Sequence, residues 1–351
     1  MQKYNITVFF VKTFSFYEKY SYFNDNKTLF NIKYNKHKEK IMNKLKTIGL
    51  TALGTTLIAS SAFAAEMSVS GGASLTLDST DQNGNRGNGF YMGDSINFNA
   101  SGEMDNGFSV AVHYEIDGGA LDDHSFSLGL NDAGTLTFAG SGGSTSMSAM
   151  DDKTPNAYEE SWDIVAGTPT VINGVSGANS FLYTSPTVQG ATVTVAYINA
   201  SAAVTAASYM DFGITLSPEM VEGLTVGFAT GDSEEAIGTK ISESTMYANY
   251  AWGPVTVGYQ MSDYDHPTAG SDLESTAMGI SYAVSDNISV AYNEHTVEKS
   301  GDTDDQEASG ISVSFTMGSM SLSGAMNELD NAIHDDAADY EGYEFTLAFA
   351  F

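Results

Sequence analysis

From residue 67 to the C-terminus, apolar and polar residues alternate in short stretches separated by clusters of Gly, Asp, Asn and Ser. In the stretch 108–116, large apolar residues occupy the even positions, and small or polar residues occupy the odd ones. A period of two places successive side chains on opposite faces of an extended chain, so the pattern predicts β-strands. We find no helical stripe of useful length.

About sixteen such stretches are present, and all six Pro residues fall between them, where the missing N–H interrupts no strand ladder. Short connections alternate with long ones, as in an antiparallel up-and-down β-barrel with one plain and one elaborated rim. A soluble β-sandwich is the alternative, but it does not predict this alternation. The stretches centre on 69–77, 95–102, 108–116, 125–130, 135–140, 180–184, 192–199, 207–216, 224–230, 244–251, 255–262, 275–283, 288–296, 309–316, 320–326 and 343–351.

The composition of the two strand faces predicts which one points outward. The polar face consists mainly of Ser, Thr, Gly, Ala, Asn and acidic residues, which are too small and polar to fill a barrel of this size. The apolar face carries aromatic residues near strand ends, as membrane barrels do at the membrane–water interface. We therefore predict a transmembrane barrel with its apolar face toward lipid. A secreted β-protein is the alternative. The aromatic residues are Tyr183, Tyr197, Tyr247, Tyr250, Trp252, Tyr259, Tyr282 and Tyr292.

Charge divides the chain at about residue 65. Ten of the 14 basic residues lie at or before Lys46, whereas 41 of the 44 acidic residues follow residue 65. Lys44 and Lys46, the apolar run 48–59 and the small-residue site 62–64 form a signal peptide over residues 42–64. We expect export, a mature chain over 65–351, and a reading frame over-extended by residues 1–41, with Met42 as the true start.

Composition also excludes several functions. The absence of Cys excludes disulfides, thiol nucleophiles and Cys-ligated metal sites. The formal charge of −30 disfavours nucleic acid as a partner, because binding phosphates requires a basic surface. No nucleophile elbow or metal-spaced His pair is present, so an outer-membrane barrel enzyme lacks support.

Two segments resemble the general-diffusion porins of Gram-negative outer membranes. One is the stretch 180–186 with Gly190 following. The other is an alternating run that ends the chain on Phe, formed by Tyr343, Phe345, Leu347, Phe349 and Phe351. Together with the export signal and the strand count, the resemblance covers residues 65–351. It implies an all-β, transmembrane, antiparallel up-and-down β-barrel of sixteen strands, with a long third loop folded inward. It also implies a homotrimer in outer-membrane lipid that passes small hydrophilic solutes without chemical conversion, and a terminal run recognised by the barrel-insertion machinery.

The resemblance places the pore constriction in the longest connection, 141–179. One sign of charge in a narrow pore selects ions of the opposite sign, and this segment carries one Lys. The family usually sets basic residues opposite the acidic loop, whereas here no Lys or Arg lies in a strand centre. We therefore expect cation selectivity. The candidate selectivity residues are Asp151, Asp152, Glu159, Glu160 and Asp163 in the loop, with His113 and Glu115 on the strand wall.

No cofactor is implied. Carboxylates at 302–305 and 335–339 offer ligands for Ca²⁺ but lack the spacing and Gly of a dedicated calcium loop, so ordinary solvation competes with that interpretation. An acidic cell-envelope β-protein with an adhesive or calcium-dependent role is the alternative to a channel.

Overall fold

The computed structural model describes residues 66–82, 85–163, 169–199, 206–235 and 239–351. The predicted signal peptide and the segment 1–41 lie outside the described residues. Apart from three short 3₁₀ turns (Asn131–Ala133, Ser148–Met150 and Ala332–His334), the regular structure described is extended chain. None of the described helices is long and apolar enough to cross a membrane.

Sixteen strands form one closed antiparallel barrel in which each strand pairs with its neighbours in the chain, and the first strand pairs with the last. Each predicted stretch corresponds to one strand, which confirms the predicted strand number. The strands are β1 (Glu66–Gln82), β2 (Asn85–Glu103), β3 (Ser109–Asp117), β4 (Ala120–Gly129), β5 (Thr135–Ser141), β6 (Ser180–Thr184), β7 (Ala191–Ile198), β8 (Ala206–Leu216), β9 (Leu224–Glu235), β10 (Thr239–Trp252), β11 (Val255–Asp265), β12 (Leu273–Ser285), β13 (Ile288–Lys299), β14 (Gln306–Met317), β15 (Met320–Asp330) and β16 (Tyr340–Ala350).

The terminal strands close the barrel. Leu75 of β1 lies opposite Leu347 of β16. Beyond the last pair of this ladder, Gly71 and Phe351 exchange two backbone hydrogen bonds of 2.9 Å each. Because closure pairs both edges of the sheet, no strand edge remains along this seam to pair with another chain.

Side chains alternate between an apolar and a polar face, as predicted. On β13, Tyr292 is 41% exposed on the apolar face, whereas the adjacent Asn293 is 2% exposed on the polar face. Tyr247 departs from the sequence prediction. We expected it on the apolar face, but it is buried on the polar face of β10 against Met147 and Met150. Its neighbour Met246 occupies the apolar face instead. The predicted face of Tyr247 is therefore wrong, because the apolar positions of β10 are the even-numbered ones.

The strands are longer than the hydrophobic pattern predicts. We expected a long loop over residues 78–94, yet β1 and β2 pair through this region from Asp78 opposite Gly89 to Gln82 opposite Asn85. Backbone hydrogen bonds can extend a hairpin beyond the point where apolar residues stop alternating. The alternation of apolar and polar residues therefore marks only the part of a strand whose two faces differ. At the other extreme, β3 and β4 are joined by only Gly118 and Gly119, whose positive φ angles of 54° and 82° suit a tight hairpin turn.

Candidate functional site

The connection between β5 and β6, residues 142–179, is the longest in the described chain, and its two ends meet. The N–H of Gly143 donates to the carbonyl of Gly177 at 3.2 Å, and the N–H of Gly177 donates back at 2.9 Å. The segment between these residues is therefore a closed loop, here called the β5–β6 loop. Residues 164–168 within it are not described.

The beginning of the β5–β6 loop is bound by a buried carboxylate. Asp211, on the polar face of β8, accepts a hydrogen bond from the Met147 N–H at 2.8 Å and another from the Ala196 N–H at 3.1 Å. The Tyr209 hydroxyl also donates to it, at 3.3 Å. Charge-assisted bonds of this kind are stronger than neutral ones, so Asp211 fixes where the loop leaves the strands.

Amide side chains bind the next part of the loop. Gln260 of β11 donates to the carbonyls of Met150 (2.6 Å) and Asp151 (2.9 Å). Its Oε1 accepts from the N–H of Lys153 at 2.7 Å. Asn249 of β10 donates to the Lys153 carbonyl at 2.6 Å. These contacts involve loop backbone, so they do not depend on the identity of the loop side chains.

The far part of the loop is bound to β14, β15 and β16. The Ala157 N–H donates to Ser312 Oγ at 3.1 Å. The Tyr158 hydroxyl donates to Glu344 and lies 2.8 Å from Thr346 Oγ1. Asn327 donates to the Glu160 carbonyl at 2.6 Å. The partners of the loop thus extend from β8 to β16 along one face of the sheet.

An aromatic contact completes this attachment. The Trp162 ring lies 4.3 Å, centroid to centroid, from the ring of buried His295 on β13. Trp162 also packs against the buried cluster of Ala308, Leu329 and Ala332. Burial of a Trp side chain contributes far more apolar area than the short side chains around it, so it holds this part of the loop to the wall.

Two of the predicted acidic residues, Asp151 and Asp152, lie side by side in the loop. Burial raises the pKa of the Asp151 carboxyl, and the neighbouring Asp152 carboxylate raises it further. Lys153 Nζ lies 3.9 Å from an Asp152 oxygen, a separation that gives a weak ion pair at a partly exposed site. This stretch of the loop therefore carries a net negative charge that depends on pH.

The structure also brings together the other three predicted loop residues. Carboxylate oxygens of Glu159, Glu160 and Asp163 all lie within 4.8 Å of one another. Burial raises the pKa of Glu160, with a hydrogen bond to Asp163 and the charge of Asp152 as further causes. Burial likewise raises the pKa of Glu159. The pair Asp151 and Asp152 thus influences the cluster of Glu159, Glu160 and Asp163. A cation near these carboxylates would relieve the repulsion between their negative charges.

The two wall residues predicted to act with these acids have different partners. His113 Nδ1 lies 2.8 Å from Asn99 Oδ1, and Glu115 accepts from Asn97 at 3.3 Å. Both partners are on β2. Glu115 groups with Asp122 and Asp123, whose carboxylate oxygens lie within 4.8 Å of its own. His113 and Glu115 therefore face the polar side as expected, but their hydrogen bonds lie within the wall.

The terminal run lies on the apolar face, as expected. Phe345 and Phe349 are about half exposed, at 47% and 48%, and the last residue Phe351 is 72% exposed. Tyr343 and Phe345 are in ring contact at 5.9 Å.

The loops proposed from sequence to bind Ca²⁺ show other contacts. Lys299 Nζ lies 2.6 Å from Asp302. Asp335 and Asp339 accept backbone N–H bonds from Ala337 and Asn331 within their own loop. Among the described residues, the carboxylate groups that come together in threes lie elsewhere, at 115–123 and 159–163.

Sequence reasoning missed the residues that hold the loop: Asp211, Gln260 and the Asn residues of β10, β13 and β15. A signal was present, because these large polar side chains stand on a face that consists mainly of Ser, Thr, Gly and Ala. However, Asn97, Asn99, His113 and Glu115 on the same face show that size and polarity do not identify a loop contact. The alternating pattern identifies the face of each residue but not its partner in a distant loop.

A closed barrel with an apolar outer surface and a polar inner one defines the class of outer-membrane barrels. The model of the Gram-negative porin family matches residues 49–306, so the chain belongs to the Gram-negative porins. It is a multi-pass β-barrel of the outer membrane, and its family and fold are those of non-enzymatic channels that need no cofactor. No curated protein matches the sequence.

Solved structures share the fold at low sequence identity. An anion-selective porin from Comamonas acidovorans is 13% identical, covers 82% of this chain and 100% of its own, and has a TM-score of 0.63. The trimer form of OmpT, an outer membrane protein of Vibrio cholerae, is 10% identical, covers 82% and 99%, and has a TM-score of 0.64. A mutant of the Rh. blastica porin is 15% identical, covers 82% and 100%, and has a TM-score of 0.57.

Proposed function

We propose that this porin is a water-filled channel for the passive diffusion of ions and small hydrophilic solutes, that the β5–β6 loop narrows the channel from inside the barrel, and that the channel prefers cations. The observation that carries this proposal is the set of contacts between the loop and the polar face, which extend from Asp211 on β8 to Glu344 on β16.

The position of the loop follows from the face to which it binds. In a membrane barrel the apolar face meets lipid, so the polar face encloses the interior. The partners of the loop belong to that polar face on seven of the sixteen strands, from β8 to β16. A loop that contacts the inner wall so widely occupies part of the cross-section and reduces the aperture.

The preference for cations rests on charge. The described part of the loop carries five acidic residues at positions 151–163 and one basic residue, Lys153. Of the other basic residues after position 65, Lys240 pairs with Asp232 at 2.9 Å and Lys299 with Asp302, both at the ends of strands. A similar solved porin is anion-selective, but the shared fold does not carry over its charges. Negative charge in a narrow passage attracts cations and repels anions.

Planar-bilayer recordings in a salt gradient test the proposal. The purified protein should give discrete conductance steps and a reversal potential of the cation-selective sign. At about pH 9, above the pKa of about 7 for Asp151 and of about 8 for Glu160, the triple variant Asp151→Asn, Glu160→Gln, Asp163→Asn should shift the reversal potential toward zero. The matched variant Asp302→Asn, Asp304→Asn, Asp305→Asn removes the same number of acidic residues from the β13–β14 connection. It should shift the reversal potential much less.

Two outcomes would contradict the proposal. A reversal potential of the anion-selective sign would refute cation selectivity while leaving the channel intact. Absence of conductance steps from correctly folded protein would favour the adhesive or calcium-dependent alternative.

We further propose that the mature chain, processed after residue 64, assembles as a homotrimer after the insertion machinery recognises the terminal run. A similar solved structure is a trimer form, which supports the assembly state. Gel migration of unboiled and boiled outer membranes should reveal a trimer that dissociates on heating. Deletion of Phe351 should reduce the amount of this species, whereas Met317→Ala, another exposed apolar residue, should not.

A further inference from the structure

A single line of Asn and Gly residues crosses the polar face beneath the β5–β6 loop. Going from strand to strand, each residue in the line is the direct cross-strand partner of the next. The line, here called the Asn/Gly row, is Asn249 (β10), Gly258 (β11), Gly279 (β12), Asn293 (β13), Gly310 (β14) and Asn327 (β15).

Each Asn in the row donates its side-chain amide to a carbonyl of the loop backbone. The acceptors are Lys153 for Asn249 (2.6 Å), Pro155 for Asn293 (2.7 Å) and Glu160 for Asn327 (2.6 Å). The three donors are neutral and bind backbone atoms, so the contacts persist whether the acidic side chains of the loop are charged or protonated.

Each Gly in the row lies close to the loop, and a Cβ there would also meet the side chain of the neighbouring Asn in the row, at 2.1 Å for Gly258, 2.6 Å for Gly279 and 2.4 Å for Gly310. A Cβ on Gly258 would lie 2.4 Å from Pro155 Cδ, and one on Gly279 would lie 2.6 Å from the Pro155 carbonyl oxygen. A Cβ on Gly310 would lie 3.2 Å from the Ser161 Cα. None of the three has a positive φ angle, so what each requires is space and not an unusual backbone conformation.

Such a row is unfavourable for the sheet itself. Gly and Asn are both depleted in strands, and Gly in a strand interior often marks a place where another backbone approaches closely. Six such residues in one line on six adjacent strands lower the stability of the wall. The loop contacts offset this cost, because they use the three amide donors and fill the space that the three glycines leave.

We propose that the Asn/Gly row is a binding groove for residues 153–161 of the loop and sets how far the loop projects into the channel. Its members are positioning residues for the aperture: the glycines set the depth of the loop and the asparagines hold it there. This inference rests on the proposed channel function.

Filling the groove tests the role of the glycines. Gly279→Val should push the loop away from the wall, so the largest neutral sugar that enters proteoliposomes should become smaller. Gly93→Val is the matched control, because Gly93 also lies on the polar face, but on β2. Its Cβ would meet only the rotatable Ser74 side chain, at 2.8 Å. If Gly279→Val does not assemble, Gly279→Ala tests the same contact with one added methyl group and should shift the limit in the same direction.

Removing the donors tests the asparagines and should have the opposite effect. The double variant Asn293→Leu, Asn327→Leu should release the loop, admit larger sugars and increase current fluctuations. Asn99→Leu is the control, because its hydrogen bond goes to His113 on the wall and not to the loop. Unchanged heat-modifiable migration on gels would show that the barrel itself is intact.

The outcomes distinguish this inference from the function on which it rests. If the unmodified protein forms no channel, the proposed function fails. If the unmodified protein conducts but the size limit is the same in the Gly279 and Asn variants as in their controls, the groove is refuted and the channel stands. Opposite shifts in the two variant sets would support it.

Discussion

Two parts of the inner wall use the same kinds of residue in different ways. On β10–β15, Asn293 and Asn327 are each 2% exposed and donate to the loop backbone. On β2, Asn97 and Asn99 are only partly buried, and their partners are Glu115 and His113 on the next strand. The Asn side chains of β13 and β15 thus bond to the β5–β6 loop, whereas those of β2 bond to the neighbouring strand β3.

The comparison shows that Asn293 and Asn327 are buried where the β5–β6 loop contacts the polar face. On β2 and β3, the polar side chains of Asn97, Asn99, His113 and Glu115 are partly exposed and pair across strands. The wall of β10–β15 is covered by the loop, where an unpaired polar group would cost about 1–3 kcal/mol. The amides of Gln260, Asn293 and Asn327 therefore pair with backbone groups of one particular loop conformation.

Removing the β5–β6 loop should expose the polar side chains of β10–β15 as those of β2 are exposed. This change should have the largest effect on conductance and reversal potential. Deleting residues 144–176 leaves Gly143 and Gly177 next to each other, as their paired hydrogen bonds already place them. We expect a several-fold larger single-channel conductance and a reversal potential close to zero, measured in planar bilayers. Deletion of residues 301–304 from the β13–β14 connection should leave both values near those of the unmodified protein.

Acidification should weaken the cation selectivity that we propose for the loop. Burial raises the pKa of Asp151, Glu159 and Glu160, so these carboxyls take up protons above the ordinary range near pH 4. Cation selectivity should therefore rise with pH across that higher range. Because the folded state holds these protons more tightly than the unfolded state, its stability falls as pH rises through the same range.

Reversal potentials measured over a pH series check this expectation. The variant Asp151→Asn, Glu159→Gln, Glu160→Gln should flatten the dependence. A pH dependence of the same size in that variant would assign the effect to other groups.

Weakening the contact between Asp211 and the loop should have a smaller effect, mainly on the free energy of unfolding. Asp211→Asn places an amide nitrogen opposite one of the two backbone N–H groups, of Met147 or Ala196, that the carboxylate now accepts. One buried donor loses its partner, so unfolding in denaturant should become easier by about 1–3 kcal/mol. The control Asp232→Asn affects an exposed ion pair with Lys240 and should change stability by less than about 1 kcal/mol.

The wall of β2 and β3 should be the least sensitive. Glu115→Gln keeps an acceptor for Asn97 and removes one charge from a partly exposed site. We expect a small reduction in cation selectivity, well below that of the loop triple variant, and an unchanged size limit for sugars. An effect equal to that of the loop variant would mean that the wall of β2 and β3 contributes as much to selectivity as the loop does.

The amino-acid pattern alone predicted about sixteen strands, their order in the barrel and the apolar and polar faces of stretches such as 108–116 and 343–351, because a β-strand alternates its faces with a fixed period of two. It also located the acidic segment that the structure gathers at 151–163. It missed the extension of β1 and β2 through residues 78–94 and the face of Tyr247, since backbone pairing and packing under a loop leave no periodic signal.

Only the tertiary structure decided what the polar face binds. Asn293 and Asn99 stand at equivalent positions in the alternation, and nothing local distinguishes a donor that holds the loop from one that pairs across strands. The difference depends on residues more than a hundred positions away that closure of the barrel brings to one wall. Strand periodicity is a local property and is read from neighbouring residues, whereas the position of the loop depends on contacts with strands far along the chain, such as those of Asn293 and Asn327.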